Sequence, residues 1–283
     1  MSPPKSDDSG EARPSALECW NEIADRLAGS KPAVFLDYDG TLSPIAPRPE
    51  LATLPLATRE VLQHLALHLP VAILSGRGLE DVTALVGISS IIYAGSHGFD
   101  ISGPPLAEGG PPLRYEVGEG IPERIERAAA RLRRELQGIE GVLVEPKRFS
   151  VAVHFRLADE AALPRIEQAV DATLADAADA ADIAGLRKAH GKKVFELRPD
   201  LDWDKGKALL WLLEMRLDHA ANPVVPLYIG DDVTDEDAFR VLEERGIGIL
   251  VAEEPRPTAA AYSLRDPDEV RQLLERLADC TKS

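Results

Sequence analysis

Asp37-Tyr38-Asp39-Gly40-Thr41 follows directly on the apolar run Ala33-Val34-Phe35-Leu36. A buried strand that ends in two carboxylates is a chemical feature. The side-chain period of two lets Asp37 and Asp39 face one pocket. In open α/β sheets, ligands bind beyond the carboxyl ends of the strands. Two crowded carboxylates repel, and a cation between them relieves that repulsion. A plain Asp-Gly turn accounts for Gly40 but not for the whole DYDGT segment after a buried run.

A second acidic segment, Asp231-Asp232-Val233-Thr234-Asp235-Glu236-Asp237, follows the apolar run VVPLYIG. Acids in a first helical turn offset the helix dipole, which accounts for Asp235, Glu236 and Asp237. It does not account for Asp231 and Asp232. Two strand-end acidic clusters, far apart in sequence, can converge on one hard cation. Mg2+ takes a few carboxylates and keeps several waters. Two smaller features complete the set. Ser75-Gly76-Arg77 closes the run VAIL, and the Ser75 hydroxyl either donates to a phosphoryl oxygen or closes a turn. Lys205 opens the stretch KGKALL, where a cation opposes the helix dipole. That cost favours a functional Lys205 over a solvated one, with Lys207 as the solvated alternative.

The elements that must position these residues alternate between short apolar runs and amphipathic stretches. Strands are expected at 33–37, 71–74 and 91–94, with helices over 55–69 and the segment GLEDVTALVG. This succession implies a parallel sheet with helices on both faces. Near residue 101 the loop SGPPLAEGGPP breaks the pattern. Strands then follow near 113–117, 142–145, 149–156, 182–185 and 193–198, with helices at 121–137 and 160–177. That order reads as a compact α+β unit with an antiparallel sheet. The first character returns with helices at 204–218, 234–244 and 268–279 and strands at 224–229 and 247–251. The fold class is therefore α/β: a Rossmann-like core over 16–102 and 198–283, interrupted by an inserted α+β domain over 103–197. Residues 1–15 are expected to form a disordered tail.

The chain has 283 residues, 45% hydrophobic and 28% charged, with a formal net charge of -16. Such a surface repels nucleic acid and anionic membranes. No apolar run approaches the ~20 residues of a membrane span. Two cysteines are no disulfide framework and fit a reducing cytoplasm. The opening residues lack the apolar region of a secretory signal.

In this order, the four chemical pieces resemble the haloacid dehalogenase phosphatase superfamily. The resemblance implies that Asp37 attacks phosphorus and forms an acyl phosphate. Asp39 would protonate the leaving alcohol and then deprotonate water. Ser75 and Lys205 would hold phosphoryl oxygens. Asp37, the backbone carbonyl of Asp39, and Asp231 would hold Mg2+, with Asp235 completing or supporting that shell.

The segments LDYDGTLSPI, ILSGR, AGSHGF, KRFSVAVHFR, GKKVFELRP, DWDKGKAL and YIGDDVTDEDAF resemble the trehalose-6-phosphate phosphatase family more closely. The insert would then be a cap of the larger, C2 type. Lys192 and Glu196 would bind sugar hydroxyls, with Arg198, Lys147 and His154 as further candidates. Gly76, Arg77 and His97 would lie near the substrate. For Lys147 and His154, a solvated strand face is an equal reading; for His97, a turn-stabilising role is. The implied substrate is trehalose 6-phosphate, and the implied partner in function is a separate synthase. Phosphatases for other phosphosugars, a sugar phosphomutase and a non-catalytic binding protein are the competing readings.

Overall fold

The computed structural model describes residues 12–46, 48, 51–105, 109–118, 120–179, 185–191, 193–217 and 224–280. They form two compact units. One contains the described residues up to Tyr115 and from Trp203 onward; the other is Glu116–Asp202.

The first unit begins with α1 (Trp20–Leu27) and β1 (Lys31–Leu36), followed by α2 (Leu56–Ala66), β2 (Val71–Leu74), α3 (Leu79–Val86) and β3 (Ile92–Gly95). β4 (Asp100–Gly103) and β5 (Leu113–Glu116) lead out of it. The second unit holds α4 (Ile121–Glu135), β6 (Leu143–Pro146), β7 (Val151–His154), α5 (Leu163–Asp179), β8 (Leu186–Gly191) and β9 (Val194–Pro199). The chain then returns through α6 (Lys205–Leu217), β10 (Val224–Gly230), α7 (Glu236–Leu242), β11 (Ile247–Val251), β12 (Tyr262–Leu264) and α8 (Pro267–Cys280).

The large sheet has the order β12-β11-β10-β1-β2-β3-β4-β5. β12 through β3 pair in parallel, while β4 runs antiparallel to β3. Parallel strands are covered on both faces and so read as continuous apolar runs. β1 shows this directly. Val34 and Leu36 enter one core with Leu62, Val82 and Leu274, from α2, α3 and α8. Ala33 and Phe35 enter a second core with Leu209 and Phe239, from α6 and α7. Each fully buried Leu or Phe there contributes about 1.5–3 kcal/mol relative to exposure. The register fixes where the chemistry lies. Leu36 faces Ile229 of β10 and Ile73 of β2. Asp37, Gly230-Asp231 and Leu74-Ser75 therefore emerge at one end of the sheet.

The second unit carries an antiparallel sheet, β6-β7-β9-β8. In β9 the buried Phe195 and Leu197 alternate with half-buried Glu196 and Arg198. On the buried face Lys188 of β8, opposite Leu197, pairs with Glu167 and Asp171 of α5. The face of Glu196 and Arg198 is thus turned away from the helix layer.

Several expectations change. Pro14 and Ser15 are not tail: Ser263 N donates to Pro14 O at 2.9 Å, and the next residue, Ala16, donates from N to Ser263 O at 2.8 Å. An edge strand presents unpaired backbone groups, and this segment satisfies some of those on β12. The strand at 113–117 belongs to the large sheet rather than to the insert, and Tyr115 stacks on Trp211 with centroids 4.1 Å apart. The second unit accordingly begins at Glu116 rather than 103 and ends at Asp202 rather than 197. A strand runs over Leu186–Gly191; of the strand expected at 182–185, residues 182–184 lie outside the described residues.

Candidate active site

Asp37 is buried at the end of β1, and its backbone N–H extends the ladder to Ile229 O at 2.9 Å. Lys205, also buried, is the first residue of α6. Its Nζ donates to Asp37 Oδ1 at 2.8 Å and to Asp235 Oδ1 at 2.7 Å. Tyr228 OH donates to the same Asp235 oxygen at 2.6 Å, and Asp232 N donates to Asp235 Oδ2 at 2.8 Å. Thr41 Oγ1 lies 3.4 Å from Asp231 Oδ1.

Glycines make this crowding possible. Gly40 has φ +79°, and a Cβ there would collide with the Asp231 carboxylate. A Cβ on Gly206 would collide with the carbonyl of Asp237, so α6 and α7 approach closely enough for Lys205 to reach Asp235. The DxDGT and DKG glycines are thus steric requirements of the site.

Oxygens of Asp37, Asp231 and Asp235 all lie within 4.8 Å of one another. Burial pushes the Asp37 carboxyl well above its ordinary range, and the Asp235 and Asp231 charges add to that shift against the opposing pull of Lys205. Burial and the Asp235 charge push Asp231 up to about 6. Burial alone would depress Lys205, but Asp37 and Asp235 outweigh it and hold the ammonium charged. Three crowded acids facing one cation retain an excess of negative charge. A hard divalent ion with oxygen ligands suits that excess, and the donor set fits Mg2+.

Asp39 follows Asp37 by two residues but has a different partner. Its carboxylate accepts from Arg77 Nε at 2.6 Å and from a terminal guanidinium nitrogen at 2.7 Å. It does not belong to the three-carboxylate group. Arg77 also donates to Asp81 at 2.8 Å. The buried Ser75 accepts at Oγ from Arg77 N at 3.1 Å, which leaves its hydroxyl proton for another acceptor. His97 N donates to Ser75 O at 2.8 Å, and Ser96 N donates to Arg77 O at 2.6 Å. Ser96 and His97 both have positive φ, a strained conformation for non-glycine residues. A Cβ on Gly76 would press against the His97 ring at 2.9 Å. The GSHG turn therefore braces the SGR turn, and His97 and Gly76 sit at the same strand ends as Asp37.

In the second unit, Glu196 accepts from Ser150 Oγ and from Arg198 Nε, each at 2.7 Å. Burial raises its pKa, but Ser150, Arg198 and Lys147 outweigh that and hold it below the ordinary value. His154 Nε2 lies 2.8 Å from Glu145 Oε2; Glu145 is exposed and His154 half-buried. Lys147 N donates to Ser150 O at 2.7 Å. Lys192 lies outside the described residues.

Sequence reasoning missed Tyr228, Thr41 and Ser150. Tyr228 left a signal, because a hydroxyl inside a buried strand needs a partner. The single hydroxyls of Thr41 and Ser150 left none.

Comparison with known proteins places these motifs in a wider frame. Residues 35–268 match the family described as trehalose-phosphatase. The chain is 41% identical to trehalose-phosphate phosphatase B of Arabidopsis thaliana, over 94% of this chain and 71% of that protein. It is 44% identical to a trehalose-phosphate phosphatase of Mycobacterium tuberculosis, over 94% of this chain and 66% of that one. Its fold resembles the C-terminal domain of Candida albicans trehalose-6-phosphate phosphatase (TM-score 0.67, 21% identity, 96% and 99% of the two chains). It also resembles Aspergillus fumigatus trehalose-6-phosphate phosphatase (TM-score 0.65, 24% identity, 99% and 100%). The family match spans both acidic segments, the Ser75 and Lys205 strand and helix ends, and the whole insert, so the chain belongs to the trehalose-phosphatase family.

Proposed function

We propose that this chain hydrolyses trehalose 6-phosphate to trehalose and inorganic phosphate through a phosphorylated Asp37. The observation that carries the reading is the buried Lys205 ammonium between Asp37 and Asp235, beside Asp231, in a chain of this family. Mg2+ held by Asp37 and Asp231, with Asp235 and the Asp39 carbonyl in support, would supply charge for the phosphoryl oxygens.

Asp37 attacks phosphorus, the ester P–O bond breaks, and the leaving sugar oxygen takes a proton from Asp39. Water then attacks the aspartyl phosphate, Asp39 takes its proton, and Asp37 is regenerated as phosphate leaves. Asp39 now accepts from Arg77 on both oxygens, so one oxygen must leave that fork to carry a proton. Ser75 and Lys205 hold the phosphoryl oxygens, with Arg77 and His97 beside them. Fixed donors aimed at developing charge supply most of the catalysis that phosphoryl transfer needs.

We assign sugar recognition to the open face of the β6-β7-β9-β8 sheet. Glu196, fixed by Ser150 and Arg198, is the main acceptor, with Arg198, His154 and Lys147 as further partners; for Lys192, outside the described residues, the role rests on the family resemblance alone. Two free cysteines support work in a reducing cytoplasm. No described helix is long and apolar enough to cross a membrane. The substrate would be supplied by a separate synthase.

The test compares trehalose 6-phosphate, sucrose phosphate and glucose 6-phosphate side by side with Mg2+. The reading expects phosphate release with kcat/KM greatest for trehalose 6-phosphate. A preference for another phosphosugar would move the substrate. An isomeric sugar phosphate in place of free phosphate would make the protein a mutase.

A further inference from the structure

Arg256 lies in the loop between β11 and β12, outside every motif of the sequence. One terminal guanidinium nitrogen donates to the backbone carbonyl of Asp231 at 2.7 Å. The same loop is fastened again at Ala259, whose N–H donates to Glu236 Oε2 at 2.8 Å. Glu236 is the residue after Asp235. The loop therefore grips the acidic segment at both ends, at Asp231 and just past Asp235. The loop is itself anchored: Arg13 donates to Thr258 O at 2.7 Å, and Ala260 N donates to Thr258 Oγ1 at 3.0 Å.

We propose that Arg256 is a positioning residue for the divalent-cation site: its hydrogen bond to the Asp231 carbonyl fixes the direction in which the Asp231 carboxylate points. The proposal rests on the reading of Asp37, Asp231 and Asp235 as the group that holds Mg2+. The physical reason is local. Asp231 stands one residue past β10, where the ladder no longer fixes its backbone. Gly230, before it, carries no side chain; the Cβ absent from Gly40 leaves room for the Asp231 carboxylate, and Thr41 Oγ1 meets that carboxylate only at 3.4 Å. A charged donor on its carbonyl supplies the missing restraint. Groups that orient metal ligands commonly control affinity by about 10–100-fold. The guanidinium charge works in the opposite direction, because it repels a cation. Geometry and charge thus predict opposite signs when Arg256 is removed.

The test uses the full chain without substrate and titrates Mn2+, with free Mn2+ read by electron paramagnetic resonance. Arg256→Met keeps the apolar stem and removes the donor; Arg256→Ala removes both, and whichever variant folds carries the test. The expected result is a Mn2+ dissociation constant raised about ten-fold or more, with partial recovery in Arg256→Lys, which keeps a donor. Asp231→Ala serves as the control and should abolish tight uptake. If Asp231→Ala loses Mn2+ while Arg256→Met and Arg256→Ala bind as wild type or tighter, the positioning role is overturned and the metal reading stands. A lowered Tm with unchanged Mn2+ affinity has the same meaning. Wild-type protein that takes up no Mn2+ overturns both.

Discussion

At the scale of single residues, the site is an arrangement of opposed charges that burial makes strong. Lys205 is held between two carboxylates, and a third lies close by. Without a divalent ion, that excess of acid works against folding. Asp231 has its pKa pushed up to about 6, against an unfolded value of about 3.9. The folded protein therefore binds its proton more tightly than the unfolded chain does. Linkage then requires this group's contribution to stability to fall as pH rises from about 4 through 6. Asp231→Asn removes the titration. In EDTA, the Tm of this variant should exceed that of wild type at pH 7.5, and the gap should shrink at pH 5. Saturating Mg2+ should raise the wild-type Tm at pH 7.5, because it binds only the folded state. A wild type that gains stability relative to Asp231→Asn between pH 5 and 7.5 in EDTA would show that the crowding is relieved in some other way.

At the scale of elements, close approach of backbones sets the geometry. α6 meets α7 at Gly206, where a Cβ would collide with the Asp237 carbonyl. Gly206→Ala should force the two helices apart and cost about 1–3 kcal/mol by overpacking. Lys205 would then lose its reach to Asp235, and kcat should fall with stability; chemical denaturation and phosphate release read the two effects. Unchanged stability would mean that the helices shift at no cost. In the second unit, alternation along β9 puts Glu196 and Arg198 on the open face. Glu196→Ala should reduce kcat/KM for trehalose 6-phosphate about ten- to hundred-fold, the equivalent of 1.5–3 kcal/mol for hydrogen bonds to a charged group. Turnover of p-nitrophenyl phosphate, which lacks the sugar, should change far less. Equal losses on both substrates would assign Glu196 to the fold of its own unit, where it now holds Ser150 and Arg198.

At the scale of the whole molecule, the sequence was legible where one physical signal dominated. Runs such as AVFL, VAIL and PLYIG announced buried parallel strands, and the acids beyond them announced the site. Short elements near the ends of the sheet were not legible. β4 and β12 are four and three residues long and carry no distinctive period. The pairing of Pro14 and Ala16 with Ser263 joins opposite ends of the chain, and local pattern contains no trace of it. β5 looked like part of the insert because the Pro/Gly-rich loop precedes it. Its place was decided by stacking of Tyr115 on Trp211, a contact between distant segments. The Arg77–Asp39 fork is of the same kind: each residue was conspicuous, but their pairing across two strand ends was not.

The central claim is that Asp37 is the nucleophile of a trehalose 6-phosphate hydrolysis, and one comparison tests it most directly. Asp37→Asn retains the shape of the side chain and removes its charge. Phosphate release from trehalose 6-phosphate at saturating Mg2+ should be abolished in this variant, with an unchanged far-ultraviolet circular dichroism spectrum. Substantial turnover by Asp37→Asn, with mass spectrometry excluding deamidation back to Asp, would contradict the account.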